Sequence, residues 1–373
     1  MENLTYYRPT KALIDLQAIK ANIQSLRNYL QPHVDIIAVV KANAYGHGDI
    51  QVAAAAIEAG AVMLAVATPD EAVRIRQHFA HIDILVLGAT PISFIPYAAS
   101  ENITLAVFSV QWVEQAQQIK SLQSPVKLHI KIDTGMGRIG VNSLEELLQL
   151  YEIITSTAQF SVDGIFTHFA TADEEETLYF DKQVDKFKEL LQYLPEKPRL
   201  VHVANTATAL IKHSSLQFDA VRFGISMYGL LPSSYVGEVL PFPLRPALAL
   251  ETELVHVKKL HAGQSVGYGA TFTAADDCYI GTIPIGYADG MIRKLSGQDV
   301  LVDGKRSPII GRICMDQCMI LLPAAYNVGE RVTLVGKQQG EEITLDDWAT
   351  KVETINYEVP CIITSRVPRI YIK

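Results

Sequence analysis

The stretch DIIAVVKANAYGHG, Asp35 to Gly48, decides how this chain reads. One acid and five apolar residues lead to a lysine, Lys41, and a loop of small residues follows at once. A run that is apolar on both faces needs cover on both faces, which is the pattern of a strand inside a parallel sheet. Comparable runs recur as VMLAVA at 62–67, DILVL at 83–87, ITLAV at 103–107, VKLHIKI at 126–132, SVDGIF at 161–166, LVHVA at 200–204 and FDAVRF at 218–223. The segments between them are patterned as helices. SLEELLQLYEIIT, from Ser143, has an N-cap serine, Glu146 three residues on, and leucines at helical spacing. DEEETLYFDKQVDKFKELLQYL, from Asp173, reads as a helix with an acidic start, where negative charge is favourable. Eight strand–helix units between about residues 35 and 225 predict an α/β fold, a (β/α)8 TIM-like barrel. The runner-up, a doubly wound open sheet, usually carries a Gly-rich dinucleotide turn, and no GxGxxG follows any run.

The texture changes at PFPLRP, from Pro241. Beyond it come short runs with turn punctuation: LETELVHVKKL, GQSVGYG, CYIGTIPIGYADG, VLVDGKRSPII, ERVTLVG and VPCIITSRV. TLDDWATKV at 344–352 is the exception and reads as a helix. The expectation is a barrel over residues 10–240 and a smaller, mainly β domain over 241–373. The N-terminal run RPTKALIDL at 8–16 reads as a strand that could pair with either domain. There is no low-complexity segment and no repeat beyond the strand–helix unit.

Of 373 residues, 49% are hydrophobic and 19% charged, enough for a packed core and no case for disorder. The net charge of −8 argues against a general nucleic-acid binder. MENLTYYRPT has neither a basic n-region nor an apolar h-region, and the longest apolar stretch, Val52 to Ala67, is interrupted by Glu58 and Gly60. A cytoplasmic protein outside the membrane is expected. Four cysteines, Cys278, Cys314, Cys318 and Cys361, are sparse, and CMDQC is one residue too long for CxxC, so no metal site is expected.

In a (β/α)8 barrel the chemistry sits at the C-terminal ends of the strands. There the sequence places Lys41 after the first run, Arg138 in DTGMGRIG after the fifth, His168 after the sixth, His202 with Asn205 and Thr206 at the seventh, and Arg222 with Gly224 and Ile225 at the eighth. Each alone has an ordinary explanation. A strand-end lysine is usually a solvated charge, an arginine a surface ion pair, a histidine a packing residue. Their convergence on one rim is what scatter would not produce. The loops after strands seven and eight are the usual phosphate site of this fold. A rim lysine beside a phosphate site suggests a Schiff base with pyridoxal phosphate, the cofactor supplying the electron sink.

AVVKANAYGHG, DTGMGRIG, FTHFA, HVANT, VRFGISMYG, GYG, PIGYADG, GRICMDQ and NYE, in this order from about residue 10 to the C-terminus, resemble the alanine racemases. The resemblance implies a homodimer whose active sites combine both subunits, and the interconversion of L- and D-alanine, supplying D-alanine for peptidoglycan. It implies that Lys41 holds pyridoxal 5′-phosphate covalently, and that Tyr45, Thr206, Gly224, Ile225 and Tyr357 serve its phosphate, with His168, His202 and Asn205 nearby. Arg222 should face the pyridine nitrogen. An arginine keeps its proton, so the ring becomes a weaker electron sink, which suits a reaction in which only the α-proton moves. The two opposed bases should be Lys41 and Tyr268 of the partner subunit, with a polar chain of Tyr268, His168, Arg222 and His202 tuning the phenol. Arg138 and the Met315 backbone should hold the substrate carboxylate. Lys131 matches a lysine carbamylated in some relatives, and Asp316 and Arg293 match residues beside the site or at its mouth. The alternatives are a serine or broad-specificity racemase, a non-catalytic pyridoxal-phosphate-binding protein, and a decarboxylase. A binding protein would ordinarily be the barrel alone, and a decarboxylase would want a carboxylate where Arg222 stands.

Overall fold

The computed structural model describes residues 6–120 and 122–372. Residues 1–5 of the MENLTYYRPT segment lie outside the described residues. Numbered along the chain, the first strands are β1 (Lys11–Asp15), β2 (Asp35–Val39), β3 (Met63–Val66), β4 (Asp83–Val86), β5 (Ile103–Val107), β6 (Val126–Lys131), β7 (Phe160–Phe166), β8 (Leu200–His202) and β9 (Ala220–Phe223). β2 to β9 form one parallel sheet in the order β8-β7-β6-β5-β4-β3-β2-β9. All eight runs that suggested a barrel are strands. The ends of the ladder are joined by hydrogen bonds from Asp219 N to Val201 O and from Arg222 N to Ala204 O, both 3.0 Å. β3 and β5 are buried at every position, the continuous burial that a barrel wall under a ring of helices imposes.

The helix after Ser143 spans Leu144–Thr155, and the Ser143 hydroxyl accepts from Glu146 N. The acidic run at 173–176 is not helical. The helix starts at Leu178, whose N–H donates to the Glu176 carboxylate at 2.6 Å. That side chain thus serves as an acceptor in front of the helix instead of forming its first turn.

Contacts divide the chain into two units. Ala18–Ala44 with Asp49–Arg245 is the barrel unit, and the described residues of Met1–Gln17, with Tyr45–Gly48 and Pro246–Lys373, form the second. The second unit adds β10 (Leu248–Glu253), β11 (His256–Leu260), β12 (Ser265–Val266), β13 (Phe272–Thr273), β14 (Cys278–Ile283), β15 (Asp299–Val302), β16 (Lys305–Ile310), β17 (Cys318–Leu322), β18 (Arg331–Gln338), β19 (Glu341–Ile343) and β20 (Arg369–Ile372). Its main sheet runs β11-β14-β17-β16-β15-β18-β10-β1-β20, with β19 on β18. β1 lies antiparallel to β10 and parallel to β20. Leu345–Val352 is the expected helix, capped reciprocally by Thr344 and Asp347. VPCIITSRV departs from its strand reading: Glu358–Ile362 is a helical turn. A short apolar run does not separate strand from helix by period, and a proline is tolerated in a first turn, where Pro360 stands. Among the described residues no helix is long and apolar enough to cross a membrane.

Candidate active site

Strand β2 ends one residue before Val40, and the backbone then turns left-handed. Ala42, Asn43, Ala44 and Tyr45 have φ of 53°, 53°, 52° and 52°. For residues other than glycine this costs on the order of 1 kcal/mol each, and runs of such residues are rare. Local bonds offset the strain. Ala44 N donates to Val40 O at 2.9 Å, closing a left-handed turn directly after Lys41. Ala42 N donates to Glu71 Oε1 at 2.7 Å, while Glu71 Oε2 accepts from Ala67 N and Thr68 N. Asn43 Oδ1 accepts from Asp49 N, and Asp49 pairs with Arg74 at 3.0 Å. The half-buried Lys41 therefore stands on a fixed pedestal. Glu71 escaped the sequence reading. The reciprocal cap Thr68–Pro69–Asp70–Glu71, a visible pattern, was the available signal.

Lys131, the last residue of β6, is buried. Burial and the cations Arg138, Arg222 and Lys41 lower its ammonium pKa to about 8, against a smaller pull from Asp133. Arg138 sits in a loop that closes on itself: Val141 N donates to Lys131 O, and Asp133 N to Val141 O. Inside it the Asp133 carboxylate accepts from Gly135 N and Gly137 N. The Tyr179 hydroxyl pins Gly135 O at 2.6 Å.

Arg222, on β9, is fully buried yet amply accepted. Its Nη2 donates to Thr167 O (2.7 Å), Val203 O (3.1 Å) and His168 Nδ1 (3.4 Å). Nη1 donates to His202 Nδ1 (3.0 Å) and to the His202 carbonyl. Burial brings its pKa down to about 9, so the guanidinium stays charged at neutral pH. Burial, then the Arg222, Arg138, Lys131 and Lys41 charges, hold His168 far below the ordinary imidazole range. His202 is lowered likewise by burial, His129 and Arg222. Both rings are neutral acceptors toward a cation. Asn205 caps the helix Thr206–Ile211 by accepting from Thr208 N, and Thr206 Oγ1 accepts from Gly224 N at 2.9 Å. Gly224 and Ile225 open a short 3₁₀ turn, Ile225–Tyr228.

In the second unit the Tyr45 and Tyr357 rings lie 6.2 Å apart. Tyr268 opens a 3₁₀ turn between Gly267 and Gly269, both at φ 75°, and is 72% exposed. Met315 is 54% exposed, and its carbonyl accepts from Ala288 N. Asp316 is tied to Arg366 at 2.8 Å, and Arg293 begins a 3₁₀ turn, Arg293–Leu295.

Two sequence models match: alanine racemase, N-terminal domain, over residues 14–232, and alanine racemase, C-terminal domain, over residues 247–371. A curated alanine racemase of Anoxybacillus flavithermus is 52% identical over 370 residues, covering 99% of this chain and 96% of that protein. The chain belongs to the alanine racemase family. The crystal structure of the alanine racemase of Bacillus anthracis with bound L-Ala-P superimposes with a TM-score of 0.96 at 44% identity, covering 99% of this chain and 96% of that one. A histidine racemase of Leuconostoc mesenteroides gives 0.92 at 33% identity, covering 99% of each chain. The alanine racemase fold is thus shared by enzymes named for different substrates, and substrate choice must lie in the residues around the site.

Within the barrel unit the structure brings Lys41, Arg138 and Arg222 close enough to Lys131 and His168 for their charges to lower the pKa of both, and His202 joins through Arg222. Of the polar chain expected for this family, His168, Arg222 and His202 are linked, while Tyr268 belongs to the second unit. Tyr45, Tyr357, Met315, Asp316 and Arg293 belong there as well. Beyond the expected residues, His202 Nε2 meets His129 Nδ1 at 2.8 Å.

Proposed function

We propose that the protein interconverts L- and D-alanine in the cytoplasm with pyridoxal 5′-phosphate, as a homodimer, and so supplies D-alanine for peptidoglycan. The observation that carries the reading is the lysine on its strained, fully bonded turn, at a rim whose other groups are charged arginines and neutral histidines. The donor set fits the cofactor. Lys41 is an amine for the aldehyde, and Arg222 is a fixed cationic donor for the ring nitrogen. The Thr206 hydroxyl and the Gly224–Ile225 turn, with Tyr45 and Tyr357, suit a phosphate. When bound, pyridoxal phosphate supplies the electron-withdrawing ring that acidifies the substrate's α-C–H.

The chain's own residues do the rest. Arg222 keeps its proton and its five donors, so it withholds a proton from the ring nitrogen and restrains the site from carbanion side reactions. Arg138, held by the Asp133 loop, pairs with the substrate carboxylate together with the Met315 backbone. The Lys41 amine exchanges a proton with one face of the α-carbon, and the phenol of the partner subunit's Tyr268 exchanges one with the other. His168 and His202, being neutral, accept from Arg222 and add no charge to the site. Tyr268 and Tyr357 narrow the space beside the α-carbon and favour a methyl side chain. Asp316 and Arg293 act at the periphery of the site.

Lys131 is suited to carbamylation. An ammonium with a pKa of about 8 leaves about a tenth of the amine neutral at pH 7. Neutral amine adds carbon dioxide, forming a C–N bond and releasing a proton, and the new carboxylate would lie beside Arg138. An intact mass one carbon dioxide heavier than the sequence supports this; an unmodified amine at Lys131 removes it.

The reading is tested by incubating the protein with added cofactor and a panel of L- and D-amino acids. Alanine turned over faster than serine and larger side chains is the expected result. Cofactor bound without turnover would leave a binding protein, and equal rates across the panel a broad-specificity racemase.

A further inference from the structure

Arg222 is a buried cation whose direct partners are all neutral: three carbonyls and two imidazoles. A compensating carboxylate stands further off, reached through a chain of side chains inside the barrel unit. His202 Nδ1 accepts from Arg222, its Nε2 lies 2.8 Å from His129 Nδ1, and His129 Nε2 lies 3.1 Å from Asp163 Oδ2. Arg199 closes the chain with a two-pronged pair, Nε to Asp163 Oδ1 at 2.8 Å and Nη2 to Oδ2 at 2.7 Å. We infer that His129, Asp163 and Arg199 are positioning residues that hold Arg222 through His202, and so set the group proposed to face the cofactor ring.

The chemistry of the two ends dictates the direction of the chain. A guanidinium offers only donors and a carboxylate only acceptors. His202 must therefore accept at Nδ1 and donate at Nε2, and His129 must do the same. Each imidazole is fixed as the neutral Nε2–H tautomer. Reversing either ring would set N–H against N–H at one contact and two lone pairs against each other at another, losing hydrogen bonds in a buried place. Burial favours the neutral form of both rings, despite the contrary pull of Asp163 on His129. Burial alone would raise the Asp163 carboxyl, but the hydrogen bonds from His129 and Arg199 outweigh it and hold the group well below the carboxylate range.

The backbone is shaped around this chain. Between β6 and β7 the register passes from Leu128↔Val162 to His129↔Gly164, so Asp163 is the extra residue of a β-bulge. Bulges re-aim side chains and cluster beside active sites. At Gly164 a Cβ would come within 2.7 Å of three atoms of the His129 ring, so glycine makes the ring's place. Phe166 stacks on His202, centroids 4.8 Å apart and planes within 10°, fixing the second ring.

As a statement about catalysis this rests on the racemase reading; as a statement about hydrogen bonds it does not. The test therefore has two readouts on the cofactor-loaded protein. In ¹⁵N-histidine NMR, His129 and His202 should be neutral Nε2–H tautomers from about pH 6 to about pH 9, and a cationic or Nδ1–H ring at either position overturns the relay. In kinetics, His129→Leu should lower kcat about tenfold to a hundredfold with KM within about threefold, as loss of an outer-shell partner does elsewhere. His129→Gln should recover most of the loss, since its amide accepts from His202 and donates to Asp163. Equal kcat in the Leu and Gln variants overturns the positioning role. If His129→Leu does not fold, Asp163→Asn replaces it: a fall in kcat with an altered visible absorbance of the bound cofactor supports the role, and wild-type values for both overturn it. Wild-type protein that fails to racemise alanine would sink the racemase reading, and the NMR result would still decide the relay.

Discussion

Arg222 in the barrel unit and Tyr268 in the second unit are prepared in opposite ways. In the barrel unit Arg222 is held on all sides, Lys131 is buried, and the half-buried Lys41 stands on a turn fixed by Glu71, Val40 and Asp49, while Arg138 is exposed on its loop. In the second unit Tyr268 is 72% and Met315 54% exposed, and Tyr268 sits between two glycines in the left-handed region. Burial is what fixes charge states, so the barrel unit comes with its protonation pattern set. An exposed phenol on a glycine-flanked turn becomes specific when another surface covers it. That exposure suits the proposal, which the family resemblance supplies, that Tyr268 serves the neighbouring subunit's site.

The largest effect is expected from Lys41→Ala, which should remove the visible absorbance of bound cofactor and lower racemisation by about a thousandfold or more. Survival of both would move the reactive amine elsewhere. Tyr268→Ala should lower racemisation by about a hundredfold or more, and equally in both directions, because the enantiomers are equal in energy. The informative readout is exchange of the α-hydrogen with solvent deuterium. It should persist for one enantiomer and stop for the other, and equal loss for both would contradict opposed bases.

The buried histidines of the barrel make stability depend on pH. His129 and His202 titrate below their ordinary value when folded. An unfolded imidazole takes up protons below about pH 6.5, and these folded rings take them up only at lower pH. Their contribution is flat above that pH and turns unfavourable as pH falls, by up to about 1.4 kcal/mol per unit for a ring that stays neutral. Thermal melts of the barrel unit's fold should therefore shift downward from about pH 6.5 to about pH 5, and a flat or rising Tm would contradict it. The smallest effect is expected at Glu71. Glu71→Ala removes acceptors from Ala42, Ala67 and Thr68, destabilises by about 1–3 kcal/mol, and should weaken cofactor retention; Glu71→Gln should recover part of it.

The barrel was legible because eight short apolar runs alternate with helix-patterned segments, and that alternation, unlike any single run, admits few other readings. Rim residues followed from the strand ends. The features that escaped depend on tertiary register or rare backbone. KANAY has small, helix-compatible residues, and nothing in its composition announces a left-handed turn. His129 and Asp163 fall in adjacent strands, but their meeting depends on a bulge that simple alternation cannot show. VPCIITSRV was misread because its apolar run is too short to carry a period. The acidic run before Leu178 misled because carboxylates are favourable both within a first turn and just before it.

The central claim is a shared site: Lys41 from one chain acting opposite Tyr268 of the partner subunit. Mixing the inactive Lys41→Ala and Tyr268→Ala proteins under conditions that exchange subunits tests it most directly. Activity should return to roughly a quarter of wild type, since half the dimers are mixed and each carries one intact site of two. A mixture that stays as inactive as its components would place both bases in the same chain and contradict the account.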